Sequence, residues 1–301
     1  MANADIHDIL EESQLGDNEN NISLKKRIDN KTTEVLTTLS GRGSNALKKV
    51  LNNVIAFMSP SGGTGASTIV SSVAHNLKKA GLSVIVVDLN LLFPSQHLYF
   101  EVKQELKKKD LVSYLSGQNP LGESIEYHKG IGTITSNNRS ITDYINCDNE
   151  SASEAMTEAL DRLSYLFDVV LLDCPRDLTY DIVGTALYKA DNIYFVIDDG
   201  VQSLVNISKV KNNFEIIGVH ISKIKYVMNK RTSIYYPKPN LDSMNIKLED
   251  IIPFEIGVLE SGLRGEIFIH SGESTSKTSK DYVAAMQRFT NRVLEIGGGK
   301  I

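Results

Sequence analysis

The sequence predicts an α/β fold, a mostly parallel central sheet flanked by helices. Three observations predict it. Five short apolar runs recur along the chain, the stretches between them carry helical periodicity, and the first run ends in the glycine-rich turn SGGTGAST (61–68). Runs that are apolar at every position, rather than at alternate ones, suit strands buried on both faces. Parallel neighbours cannot be joined by a tight turn, so the helical stretches read as crossovers, and ligands are expected at the carboxyl ends of the strands.

The elements follow in order. The run VIAFMS (54–59) leads through the turn into STIVSSVAHNLKKAG (67–81), where Val70, Val73, Ala74 and Leu77 form one stripe and Lys78, Lys79 and Gly81 are helix-ending signals. The run LSVIVVDLN (82–90) completes a strand, loop, helix, strand unit. In SASEAMTEALDRLSYLF (151–167) a capping box from Ser151 to Glu154 opens a helix whose apolar face is Met156, Ala159, Leu160, Leu163, Leu166 and Phe167. It feeds the run DVVLLDCP (168–175), and NIYFVID (192–198) and IKYVMNK (224–230) complete the five. The last helical stretch, KDYVAAMQRFTNRVLEI (280–296), has an apolar face at Val283, Met286, Phe289, Val293 and Ile296. With Asp281, Glu295 and few lysines it reads as a helix covering the core rather than one lying in a membrane surface.

Composition bounds what the chain does. Its 301 residues, 41% of them hydrophobic, can bury a sizeable core. Residues 1–50 are expected to form an acidic extension, either a disordered leader or a partner-binding tail, ahead of one domain at 51–301. The first twenty residues carry Asp5, Asp8, Glu11, Glu12, Asp17 and Glu19 with no lysine or arginine. A net charge of −5 argues against a surface adapted throughout to nucleic acid. The basic and aromatic stretch KIKYVMNKRTSIYYPKPN (223–240) is the one local candidate for it, with a solvated strand edge as the plainer alternative. Two cysteines, Cys147 and Cys174, suggest neither a disulfide framework nor a thiolate metal site. No apolar run reaches the roughly 18 residues of a membrane span. The expected place is the cytoplasm, with partners as the means of any recruitment to a membrane or cell pole.

A phosphate-binding loop points successive backbone N–H groups and a helix N-terminus at an anion, and needs glycine where a side chain would block the approach. Gly62, Gly63 and Gly65 meet that need. In the usual GxxxxGK[ST] a lysine adds charge and a hydroxyl ligates magnesium. Here Ala66 stands at the lysine position, followed by Ser67 and Thr68. Taken alone, the turn fits a plain strand-to-helix connection as well as it fits a phosphate cradle.

Further motifs follow it in order. SGGTGAST (61–68) resembles the deviant Walker A motif KGGxGK[ST][ST] of the MinD/ParA group of P-loop ATPases. VIVVDLNLLFPSQHLYF (84–100) is similar to the segment after that family's second core strand, with Asp88 at the first acid of Asp-x-Asp and Asn90 replacing the second. FDVVLLDCP (167–175) resembles its Walker B strand, with Asp173 at the acidic position, and YVMNK (226–230) the strand end whose asparagine, here Asn229, contacts adenine. IPFEIGVLESGLRGEIFI (252–269) is similar to its late proline-containing segment and following helix. The wording lies closest to the TadZ/CpaE proteins of pilus assembly. The resemblance covers roughly residues 50 to 295. It implies a nucleotide site at Gly62, Gly63, Thr64, Gly65, Ser67, Thr68 and Asn229, and magnesium at Ser67, Asp88 and Asp173. The plainer alternative for Asp173 is a turn cap, which the accompanying motifs outweigh, while Asn229 suits an ordinary strand end as well as it suits the base contact.

Three departures coincide. The family has a lysine at Ser61 that reaches across a dimer, a lysine at Ala66 that holds the outer phosphates, and an acid at Asn90 that helps to place the attacking water. Phosphoryl transfer rests on positioning and charge stabilisation, so these losses imply a pseudo-ATPase with weak or no ATP and magnesium binding. The leading expectation is a positioning or assembly factor of a pilus, secretion or conjugation apparatus, or of another cell-envelope or segregation machine, acting through protein partners and able to form a homodimer. The alternatives are a partition-type protein acting on DNA through 223–240, and an active ATPase drawing a lysine from elsewhere, such as Lys78 or Lys79, which are poorly placed at the far end of the first helix.

Overall fold

The computed structural model describes residues 52–102, 109–136, 148–176, 178, 180–232, 241, 246–270 and 276–296. The expected extension at 1–50, Cys147 and the segment 233–240 of the basic stretch lie outside the described residues.

All five expected strands form: β1 (Val54–Met58), β2 (Val84–Asp88), β5 (Val169–Asp173), β6 (Asn192–Ile197) and β7 (Ile224–Arg231). With β3 (Glu126–His128), β4 (Ile131–Ile134) and β8 (Leu248–Pro253) they make one eight-stranded sheet in the order β3-β4-β2-β5-β1-β6-β7-β8. Every pairing is parallel except that of β3 with β4.

The uninterrupted apolar runs have the cause expected of them. In β1, Val54, Ala56 and Met58 enter one core layer while Ile55 and Phe57 enter the other. Helix α1 (Ala66–Lys79) and the last helix, α8 (Lys277–Ile296), cover the second layer, where Met286, Phe289 and Val293 are fully buried. Phe57, Tyr194 and Phe289 form an aromatic cluster there, with Tyr194 and Phe289 edge-on at 5.0 Å. The apolar face of α8 is therefore spent on the core. Arg288 fixes the helix further, donating from Nε and Nη2 to the buried Asp250 carboxylate of β8 at 2.7–3.1 Å.

Helices α4 (Asn149–Leu166) and α5 (Asp181–Lys189) cover the first layer, with α6 (Val201–Ile216) and the short α3 (Leu111–Leu115). The expected capping box at Ser151 is displaced: α4 starts at Asn149, and the Asp148 carboxylate accepts the Ser151 N–H at 2.9 Å and its hydroxyl at 2.8 Å. An ionised acceptor one turn earlier outcompetes the serine for the first free N–H groups. Among the described residues no helix is long and apolar enough to cross a membrane.

Candidate functional site

The site lies at the carboxyl ends of β1, β2 and β5, where the chain leaves β1 between its neighbours β5 and β6. This is where an open parallel sheet forms its crevice. After Met58 the chain folds back on itself through hydroxyls. Ser59 Oγ donates to the Ser61 carbonyl at 2.6 Å and accepts the Thr64 hydroxyl at 2.7 Å. Gly63 and Gly65 take the left-handed φ values of 83° and 90°. A Cβ on Gly65 would stand 2.6 Å from the Asn229 amide nitrogen, whereas one on Gly62 or Gly63 would meet nothing within 4 Å. The loop is thus open on one side and pinned on the other.

Helix α1 then begins without a side-chain cap, its first intrahelical bond running from the Ile69 N–H to the Gly65 carbonyl at 3.0 Å. The N–H groups of Ala66, Ser67 and Thr68 have no intrahelical partner, and the positive end of the helix dipole faces the open side of the loop. These are the elements of an anion cradle.

Beside it stand two buried carboxylates on neighbouring strands, for Asp88 of β2 pairs in register with Asp173 of β5. Asp88 accepts backbone N–H groups from Asn90 (3.0 Å), Ser95 (2.7 Å) and Gln96 (2.9 Å). The Ser67 and Ser95 side chains also favour the charged form of Asp173. Burial first, and the Asp173 charge second, push the Asp88 carboxyl up to about 7 against those hydrogen bonds. Burial likewise raises Asp173, opposed by the Gln96, Ser67 and Ser95 side chains. Burial and both carboxylates push the neighbouring Cys174 thiol well up, so it carries no nucleophilic thiolate.

Short helix α2 (Gln96–Tyr99) closes the pair. The Gln96 amide nitrogen donates to Asp173 Oδ2 at 2.7 Å and to the Ser67 carbonyl at 3.0 Å. Its Oε1 is buried with no hydrogen-bond partner among the described residues. Two raised carboxyls, a serine hydroxyl and an orphaned amide oxygen form an all-oxygen set of the kind a hard divalent cation takes. Ser67, Asp88 and Asp173 are the residues that could hold magnesium here, with Gln96 as a fourth oxygen that the sequence did not single out.

The other expected site residues fall as follows. The Ser61 hydroxyl turns inward to the Ser203 hydroxyl of α6 at 2.7 Å, so this side chain is tied to its own subunit. Asn90 Oδ1 accepts the Phe93 N–H at 3.1 Å, a local turn contact. The Thr68 hydroxyl meets Tyr99 at 3.1 Å rather than the carboxylates. Asn229 commits its amide nitrogen to the Thr64 carbonyl at 2.8 Å and so holds β7 against the loop.

The lysines named for the alternative readings fall as follows. Lys78 and Lys79 stand at the far end of α1 from the loop, and the Lys78 side chain packs on Gly130, just ahead of β4 at the amino ends of the strands. The described part of the basic stretch is divided between the two ends of β7. Lys223 donates to the Tyr188 carbonyl at one end of β7, while Arg231 pairs with Asp199 at the other. Lys230, between them in sequence, sits on the glycine loop, its Nζ 2.5 Å from the Gly63 carbonyl.

The raised carboxyls set a pH dependence. A folded state that keeps its proton above the ordinary Asp value of 3.8 binds more protons than the unfolded chain, so stability falls as pH rises from about 4 to about 7. The metal-free chain should melt lower at about pH 8 than at about pH 5, and millimolar magnesium should raise the melting temperature more at the higher pH. Differential scanning fluorimetry reads this, and Asp173→Asn should flatten the slope. A melting temperature rising over the same window would contradict the assignment.

Against known proteins, residues 52–226 match the model of the AAA domain family. The chain is 25% identical over 177 residues to an uncharacterized ATP-binding protein of Methanocaldococcus jannaschii, a similarity covering 59% of this chain. The chain spans 64% of the length of the curated relatives it matches. Among solved structures it resembles the septum site-determining protein MinD of Pyrococcus horikoshii in complex with Mg-ADP, with a TM-score of 0.67 and 21% identity over 83% of this chain and 99% of that one. A ParA family ATPase from Chlorobium tepidum follows at a TM-score of 0.65 and 18% identity, over 79% and 97% of the two chains. At these identities the likeness is one of fold.

Proposed function

The chain belongs to the AAA domain family, and from that premise we propose that it is a MinD/ParA-like positioning or assembly factor whose nucleotide site binds ATP and magnesium weakly and no longer turns over. The observation that carries this reading is the fate of three positions around an otherwise formed cradle. Ala66 brings no charge, Ser61 is tied to Ser203, and Asn90 serves its own turn. The glycine loop, the free end of α1 and the paired carboxylates Asp88 and Asp173 remain. Holding a ground-state nucleotide needs the cradle, whereas lowering the barrier also needs charge on the transferring group and a placed water.

Action through protein contacts is supported by an apolar rim beside the site. Phe93, Leu98, Leu259 and Leu263 are exposed, and the turn after α7 (Ile256–Leu263) meets α2, with Gly265 against Leu98 and Gly262 near Tyr99. Exposed aliphatic and aromatic groups gathered on a polar surface suit a protein partner. An assembly of the pilus, secretion or conjugation kind is the setting that the TadZ/CpaE-like wording of 84–100 favours.

The purified chain should show no magnesium-dependent ATP hydrolysis above a buffer blank. Turnover at ordinary ATPase rates that disappears in Asp173→Ala would overturn the degenerate reading. Light scattering should give the same mass with and without ATP, because position 61 carries no lysine to reach a partner's phosphates.

A further inference from the structure

The cradle lacks the lysine of its own loop, yet a different lysine stands over it. Lys230, next to the last residue of β7, carries its Nζ to 2.5 Å from the Gly63 carbonyl. Its Cε passes 3.5 Å from where a Gly65 Cβ would be. The approach is held in place, because the neighbouring Asn229 is buried and donates to the Thr64 carbonyl at 2.8 Å. The Lys230 backbone has φ of +56°, in the left-handed region, where a non-glycine residue is held only by its surroundings. An ammonium has three donors, and the single carbonyl uses one of them. Among the described residues no carboxylate pairs with it, so the charge remains available to an anion on the open face of Gly62 and Gly63.

We propose that Lys230, brought in from the end of β7, supplies to the phosphates of a nucleoside polyphosphate the cationic contact that Ala66 cannot. This rests on the reading that the loop takes a nucleotide. The lysine acts by holding the ground state. It moves no proton and forms no bond, which is consistent with binding that survives the loss of turnover.

Isothermal titration of the full chain with ATP, tripolyphosphate and adenosine tests it, in wild type, K230Q, K230R and K230G. A charge-assisted contact of this kind is worth roughly tenfold to hundredfold in affinity. K230Q should lose that factor for ATP and for tripolyphosphate alike, leave adenosine unchanged, and show a shallower salt dependence. K230R should recover most of the loss. K230G should bind as poorly as K230Q yet melt higher, since glycine relieves the left-handed strain, and it covers the case in which K230Q folds badly. Equal ATP affinity in wild type and K230Q would overturn the role of Lys230 and leave the nucleotide reading standing. A loss confined to ATP, with tripolyphosphate unaffected, would move the contact off the phosphates and also overturn it. No saturable ATP binding by the wild-type chain would overturn both readings together.

Discussion

Gly65→Ala will lower the melting temperature by about 5–10 °C and remove measurable ATP binding, the largest effect we expect from a single methyl group in this chain. Two separate costs add. Gly65 has φ of 90° and ψ of 25°, a conformation that costs an L-residue about 1–2 kcal/mol whatever space surrounds it. The new methyl would also stand 2.6 Å from the Asn229 amide nitrogen. Asn229 must then withdraw from the Thr64 carbonyl, which costs about another 1 kcal/mol and frees the end of β7 from the loop. Asn229→Ala in the same chain separates the terms. It should recover the steric part, leave the backbone part, and show the two changes to be non-additive, as contacting residues are. Thermal unfolding of the two single variants and the double variant measures this. A Gly65→Ala chain melting within a degree of wild type would mean that the loop is not held in this conformation.

What was legible in the sequence and what was not divide along a physical line. Residues such as Val54 to Met58 announce their strand because both faces of it are buried, so every position must be apolar. Asp88 and Asp173 were legible because an acid ending a buried strand is conspicuous among valines and leucines. Strand β4 was not. It has four residues, and at Gly132 a Cβ would stand 3.3 Å from Ile85 and Phe167, so close packing removes the apolar side chain that would have signalled it. Strand β8 was hidden by Glu249 and Asp250, the second of which is buried only because Arg288 comes from α8 to meet it. The same holds in the site. Gln96, Ser203 and Lys230 matter through contacts made across 29, 142 and 167 residues of chain, and no local pattern encodes such a meeting. The only available hint for Lys230 was its place beside Asn229, and read locally it was one lysine of a basic stretch.

Restoring the lost positions should return binding before it returns turnover. Ala66→Lys puts a charge at the head of α1, beside an open cradle, and should tighten ATP binding by about 2–4 kcal/mol. The gain should shrink the contribution of Lys230, since two ammonium groups on one phosphate chain are partly redundant, and K230Q should cost less in the Ala66→Lys background than in wild type. Asn90→Asp is structurally mild, because an aspartate oxygen can still accept the Phe93 N–H that Asn90 now holds. Ser61→Lys is not mild. Its hydroxyl bonds to Ser203 in a buried position, and removing it strands the Ser203 hydroxyl at a cost of about 1–3 kcal/mol. Ser203→Ala added to Ser61→Lys should recover part of that loss while the lysine swings outward. Magnesium-dependent hydrolysis should therefore stay at the blank in Ala66→Lys and appear only when Asn90→Asp and Ser61→Lys join it, because water placement and transition-state charge are separate requirements from ground-state binding. Titration calorimetry on the single variant decides the first step. If Ala66→Lys folds normally and binds ATP no better than wild type, the cradle between Gly62 and Ser67 has been reshaped beyond what one charge can repair, and the three departures are consequences of that change rather than its cause.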